Sequence, residues 1–150
     1  MFAWIGNKAF AGHDAPDNVK AALEALGDLA EVAGLRAPKG GISRQHVVER
    51  LGEIVTRAGL TVAPDSYFDG LNREQRLALR VEAGRAHTNN DALLATLEAA
   101  RDPHVDVLLL VVPVRYMSGA VVDPVKARLK TVLNSPGIDL ALTGVALTAY

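Results

Sequence analysis

The apolar positions of this chain switch between two periods, and each switch marks an element. From about Ala15 to Ala33, Val19, Leu23, Leu26 and Ala30 recur every three or four residues, which predicts an amphipathic helix. Asp14 is its expected N-cap, Pro16 sits in the first turn and Gly34 stops it. The stretch 36–41, Arg-Ala-Pro-Lys-Gly-Gly, reads as a flexible link. Ser43 then caps a second helix whose Val47, Val48, Leu51, Ile54, Val55 and Ala58 share a face until Gly59. Next the period falls to two. Leu77, Leu79 and Val81 point one way and Ala78, Arg80 and Glu82 the other, the alternation of a strand. Ser66 to Asp69 reads as a shorter strand before it, joined through the polar run Asn72 to Arg76 as a hairpin loop.

Helical spacing returns with Ala92, Leu93, Leu94, Leu97 and Ala100, capped by Asn89 or Asn90. Asp102-Pro103 turns the chain into Val105 to Val112, where Val-Leu-Leu-Leu-Val-Val suits a strand covered on both faces and too short for a bilayer. Asp123-Pro124 opens a further helix with the stripe Val125, Leu129, Val132 and Leu133, and Gly137 leads into a strand from Ile138 to about Leu147. Helices and strands interleaved in this way predict an α/β domain over residues 42–150. Residues 1–41 read as an N-terminal helical extension of the same compact domain. Its Phe2, Trp4, Ile5 and Phe10 are expected to pack on the domain or on a partner subunit, so the arm can serve a homodimer.

Composition narrows the classes open to it. At 150 residues and 49% hydrophobic the chain is one domain's worth with ample core, but only 5% is aromatic, so Leu, Val and Ala must fill it. A net charge of −1 argues against a broadly basic nucleic-acid binder and leaves room for local patches. Arg73, Arg76, Arg80 and Arg85, set against Glu74 and Glu82, form such a candidate patch. The absence of cysteine excludes disulfides and thiolate chemistry and is compatible with a cytoplasmic location. Neither a membrane span nor a signal peptide is expected, and no phosphate-binding glycine loop or G-x-S-x-G elbow occurs.

Candidate chemistry gathers in residues 69–91. The hairpin folds Asp69 back toward Glu82, and two carboxylates held together repel each other unless a hard divalent cation such as Mg²⁺ relieves them. The same residues also fit a solvent-facing, salt-bridged strand surface. His87, five residues after Glu82, suits a proton shuttle or a loop histidine bonded to backbone. Asn89 and Asn90 suit donors to phosphate or plain caps.

With Asp69 and Glu82 thirteen residues apart, the order of elements over residues 43–112 resembles the PD-(D/E)XK nuclease superfamily, the fold of many type II restriction endonucleases. The resemblance implies a mixed central sheet containing a three-stranded meander, flanked by helices. It matches Asp69 to the first acid, with Pro64-Asp65 competing, and Glu82 to the second. It implies Mg²⁺-dependent DNA cleavage, the activity of an endodeoxyribonuclease, with Asp69 and Glu82 as metal ligands. The family's lysine position holds Gly84. Arg85, swung round by a bulge at Gly84, is then the candidate catalytic cation, with Arg80 as a second. Arg80, His87, Asn89 and Asn90 are the candidate contacts to DNA. The alternative is a catalytically inactive nuclease-fold domain that binds nucleic acid or a protein.

Overall fold

The structure is a computed structural model describing residues 2–26, 44–82, 90–116 and 119–150, with side chains described from residue 49 in the second segment. Its elements in chain order are β1 (Phe2–Gly6), α1 (Asp17–Leu26), α2 (Arg44–Arg57), β2 (Thr61–Val62), β3 (Gly70–Asn72), β4 (Leu77–Val81), α3 (Asp91–Arg101), β5 (Val107–Val112), β6 (Arg115–Tyr116), β7 (Gly119–Ala120), α4 (Val122–Leu133) and β8 (Gly144–Ala149). Six strands form one mixed sheet in the order β1-β8-β5-β4-β3-β2, and β6 and β7 make a separate hairpin.

The apolar run of β5 explains its place. All six of its residues are buried, as a strand with helices on both faces requires. It pairs in parallel with β4, Leu79 opposite Leu109, and with β8, Leu109 opposite Ala146. β3 and β2 continue from β4 as an antiparallel meander, and β1 closes the other edge antiparallel to β8. On one face Leu77, Leu79, Val81 and Leu109 pack with Val19, Leu23 and Leu26 of α1 and with Leu51, Ile54 and Val55 of α2. On the other, Ala78, Leu108 and Leu110 pack with Ala92, Ala95 and Ala99 of α3 and Val125, Leu129 and Leu133 of α4. Helices α3 and α4 connect parallel strands laid down in one direction, β4 to β5 to β8. Crossovers of one hand therefore put both helices on one face.

Several boundaries differ from the periodicity. The strand expected at Ser66–Asp69 is a succession of bends and β3 begins at Gly70, because Ser66 Oγ takes the Phe68 N–H and curls the backbone. Gly70 then lies so close to α2 that an added Cβ would stand 2.9 Å from Val55 Cγ1. The strand expected from Val105 starts at Val107, after a turn in which the Val105 N–H bonds Asp102. The helix expected to be capped by Asp123 starts earlier, with Val121 at the cap and Asp123 in the first turn. The last strand starts at Gly144 rather than Ile138. In α3 the alanines and Thr96 face the sheet while Leu94 and Leu97 point outward, half exposed, so its expected leucine stripe is not its core face. The described part of the expected extension, residues 2–26, supplies the edge strand β1 and the core helix α1.

Because β4, β5 and β8 run parallel, their C-terminal ends share one edge of the sheet. Glu82 follows β4 there, and α3 and α4 both begin at that edge. Ligands of α/β sheets bind at such edges.

Candidate functional site

Glu82 stands one residue beyond β4, yet its N–H still bonds Val111 O at 2.8 Å, extending the parallel ladder. Its own carbonyl accepts the Tyr150 hydroxyl at 2.8 Å. The backbone is thus tied on both sides, and the carboxylate is aimed at the face shared by Ala78 and Arg80, as the alternation predicts. It is only 5% exposed, so the expected alternative of a solvent-facing strand surface does not hold at this residue.

Asp69 reaches the same strand from the meander. Its N–H bonds Leu79 O at 2.8 Å, and its Oδ2 accepts the Val81 N–H at 2.7 Å. The reason is local: antiparallel pairing ends at Gly70–Leu79, the chain bends away, and the carboxylate takes over the next inward N–H of β4. Asp69 is 6% exposed, whereas Asp65, the competing acid, is exposed in a turn. Of the two acids, Asp69 is the one brought to Glu82's strand.

Beside Glu82 lies Arg80. Its Nε donates to Glu82 Oε1 at 3.0 Å, one of its terminal nitrogens donates to Tyr67 O at 2.8 Å, and the guanidinium lies 4.4 Å from the centre of the Tyr67 ring. Such stacking is a cation–π contact, favourable where water is thin. Burial opposes the guanidinium's charge, but the Glu82 carboxylate, its hydrogen bond and Asp69 more than offset this, and the Arg80 pKa rises above the ordinary arginine value. The Tyr67 phenol is also pushed up, by burial first; Arg80 pulls the other way, while Glu82, Asp91 and Glu98 add to the rise.

The remaining candidates divide. Arg85, His87 and Asn89, with Gly84, lie in 83–89, outside the described residues. Asn90 precedes α3 with a left-handed backbone (φ 59°) and makes no side-chain cap; its Oδ1 instead accepts Arg128 of α4. The expected arginine patch on the meander disperses. Arg76 pairs with Asp106 at 2.6 Å and bonds Pro103 O near the start of β5, Arg80 turns into the site, and Arg73 stays on the hairpin loop.

Tyr67 and Tyr150 escaped the sequence reading. Tyr67 had a signal, since continuing the Gly70–Leu79 register puts position 67 opposite 82. Tyr150 had none, because it meets Glu82 across 68 positions.

Chemically, two buried carboxylates on neighbouring strands present the hard oxygen donors that Mg²⁺ prefers, and that ion commonly takes few protein ligands. Among the described residues no group of three or more His, Asp or Glu side chains is placed to hold a metal, so an ion here would rest on this pair with water and substrate oxygens. The molecule is therefore a three-layer α/β domain with a buried acidic pair at the C-terminal edge of its parallel strands. Comparisons with protein-family models, characterised proteins and solved structures give no significant match. Among the described residues no helix is long and apolar enough to cross a membrane.

Proposed function

We propose that this protein is a nuclease-like domain of the PD-(D/E)XK type, hydrolysing DNA phosphodiester bonds with a divalent cation held by Asp69 and Glu82. The observation that carries the reading is the burial of two carboxylates at β4, Asp69 bonded to the Val81 N–H and Glu82 to Arg80. The succession α2, β2, β3, β4, α3, β5, with an antiparallel meander followed by a parallel strand, supports it. Mg²⁺, when bound, supplies the Lewis acid and lowers the pKa of a coordinated water. The chain does the rest. Asp69 and Glu82 stand where a cation is favoured, and burial keeps bulk water from diluting their field. Arg80 offers a guanidinium to a phosphate oxygen. Arg85 and His87, three and five residues after Glu82, are the charge-screening and proton-carrying groups of this reading, and Asn89 and Asn90 its phosphate donors. One small site cuts one strand, so double-strand cleavage calls for a homodimer.

The Arg80–Glu82 ion pair favours a second reading, a non-catalytic nuclease-fold domain in which the guanidinium permanently satisfies the acid. Plasmid nicking with Mg²⁺ or Mn²⁺ separates the two. Wild type should nick, and Asp69→Asn and Glu82→Gln should each lose about a hundredfold or more. Equal nicking by all three overturns the catalytic reading, and DNA retention without nicking by wild type favours the second.

A further inference from the structure

The two edges of the six-stranded sheet are defended unequally. β2, at one end, is only two residues long, which itself discourages pairing with another chain. β1, at the other, runs for five residues, Phe-Ala-Trp-Ile-Gly, with no charge, proline or bulge to blunt it. Its free side follows from its paired side. The Asn7 N–H bonds Thr143 O at 2.9 Å in continuation of the β1–β8 register, and Ile5 O faces β8 at Gly144. Alternate residues of an edge strand turn their N–H and C=O to opposite sides, so Ala3 and Ile5 serve β8 while Phe2, Trp4 and Gly6 face away from it. Among the described residues nothing bonds these outward groups. A cavity of about 400 Å³ opens beside them, against Trp4, Gly6, Ala11, Gly12 and His13. Phe2 and Phe10 of the same segment are 44% and 40% exposed.

We propose that β1 pairs antiparallel with β1 of a second copy of this chain, about a two-fold axis at Trp4, joining the two sheets into one. In this register Trp4 of each copy exchanges hydrogen bonds with Trp4 of the other, and Phe2 with Gly6. No other register engages all of the outward residues. The fit of Phe2 to Gly6 favours a second copy over an unrelated strand. Residues directly opposite across strands point to one face, so Phe2 of one copy rises on the side of Gly6 where an added Cβ would stand 2.6 Å from Phe10 O. Glycine puts no side chain there. The exposed Phe2 ring is then brought beside the exposed Phe10 and the cavity, and the two-fold axis makes the contact twice. The proposal stands apart from the nuclease reading, because antiparallel pairing turns the Glu82 edges of the two copies to opposite ends of the joined sheet.

Sedimentation equilibrium and amide hydrogen exchange, both on the full chain from micromolar to millimolar concentration, test the pairing. Wild type should pass from monomer to dimer over this range. Phe2→Pro removes an outward N–H and the ring but no bond to β8, and proline is tolerated at the first residue of an edge strand. Its dimer dissociation constant should rise about tenfold or more. Leu97→Glu, on the exposed face of α3, should dimerise as wild type does. In wild type the Trp4 and Gly6 amides should exchange about tenfold more slowly at the dimeric end of the range than at the monomeric end, a readout that holds even if Phe2→Pro folds poorly. A wild type that is monomeric throughout overturns the proposal, whether the edge stays free or takes the strand of another protein. So does a dimer in which these amides gain no protection, or one that Phe2→Pro leaves equally tight.

Discussion

Asp69 carries a structural duty and, in the proposed nuclease reading, a chemical one, and substitution separates them. Its Oδ2 accepts the Val81 N–H, a buried donor, at 2.7 Å. Asp69→Asn keeps an oxygen for that N–H, so its unfolding free energy should stay within about 1 kcal/mol of wild type while metal-dependent nicking is lost. Asp69→Ala removes that buried hydrogen bond and should cost about 1–3 kcal/mol in urea unfolding. Equal stability of the two variants would show that the carboxylate is not needed by the fold. At this scale the sequence disclosed which residues share a face, because alternation is set by local backbone geometry. It did not disclose that Glu82 and Asp69 are buried, since polarity alone favours solvent and only the layers above and below overrule it.

Elements were legible where their pattern was long and regular, as in α2, β4 and β5. They blurred where a short-range contact competed, as Ser66 does with the start of β3. The pairing of β1 with β8 had no local signal: Phe2 meets Thr148 and Gly6 meets Gly144 from opposite ends of the chain. That pairing depends on a missing side chain. A Cβ at Gly144 would lie 2.6 Å from Ile5 O and 2.7 Å from the Trp4 ring. Gly144→Ala should therefore push β1 away and cost about 1–3 kcal/mol. Trp4 is the sole tryptophan, so its emission should shift to the red at lower denaturant than the loss of far-ultraviolet circular dichroism. Coincident transitions at the wild-type midpoint would refute this account of the edge.

For the whole molecule, the two cores meet at β5, whose side chains alternate between the α1–α2 layer and the α3–α4 layer. Leu109→Ala should cost about 2–5 kcal/mol, or roughly 2–4 °C of melting temperature per kcal/mol in a chain of this size. Leu97→Ala, on the outward face of α3, should change stability by no more than about 0.5 kcal/mol, although the helical spacing counted Leu97 among the apolar positions of α3. Calorimetry distinguishes these, and a comparable loss from both would show that the exposed ridge of α3 is covered in solution. The sequence by itself determined the α/β class, the strand faces and the two candidate acids, because periodicity and turn chemistry act over a few residues. Only the tertiary structure decided that Asp69 rather than Asp65 is bonded to Glu82's strand, that Arg80 pairs with Glu82 over the Tyr67 ring, and that Tyr150 braces the strand end. Those outcomes rest on register and on pairings between distant segments, which local preferences do not encode.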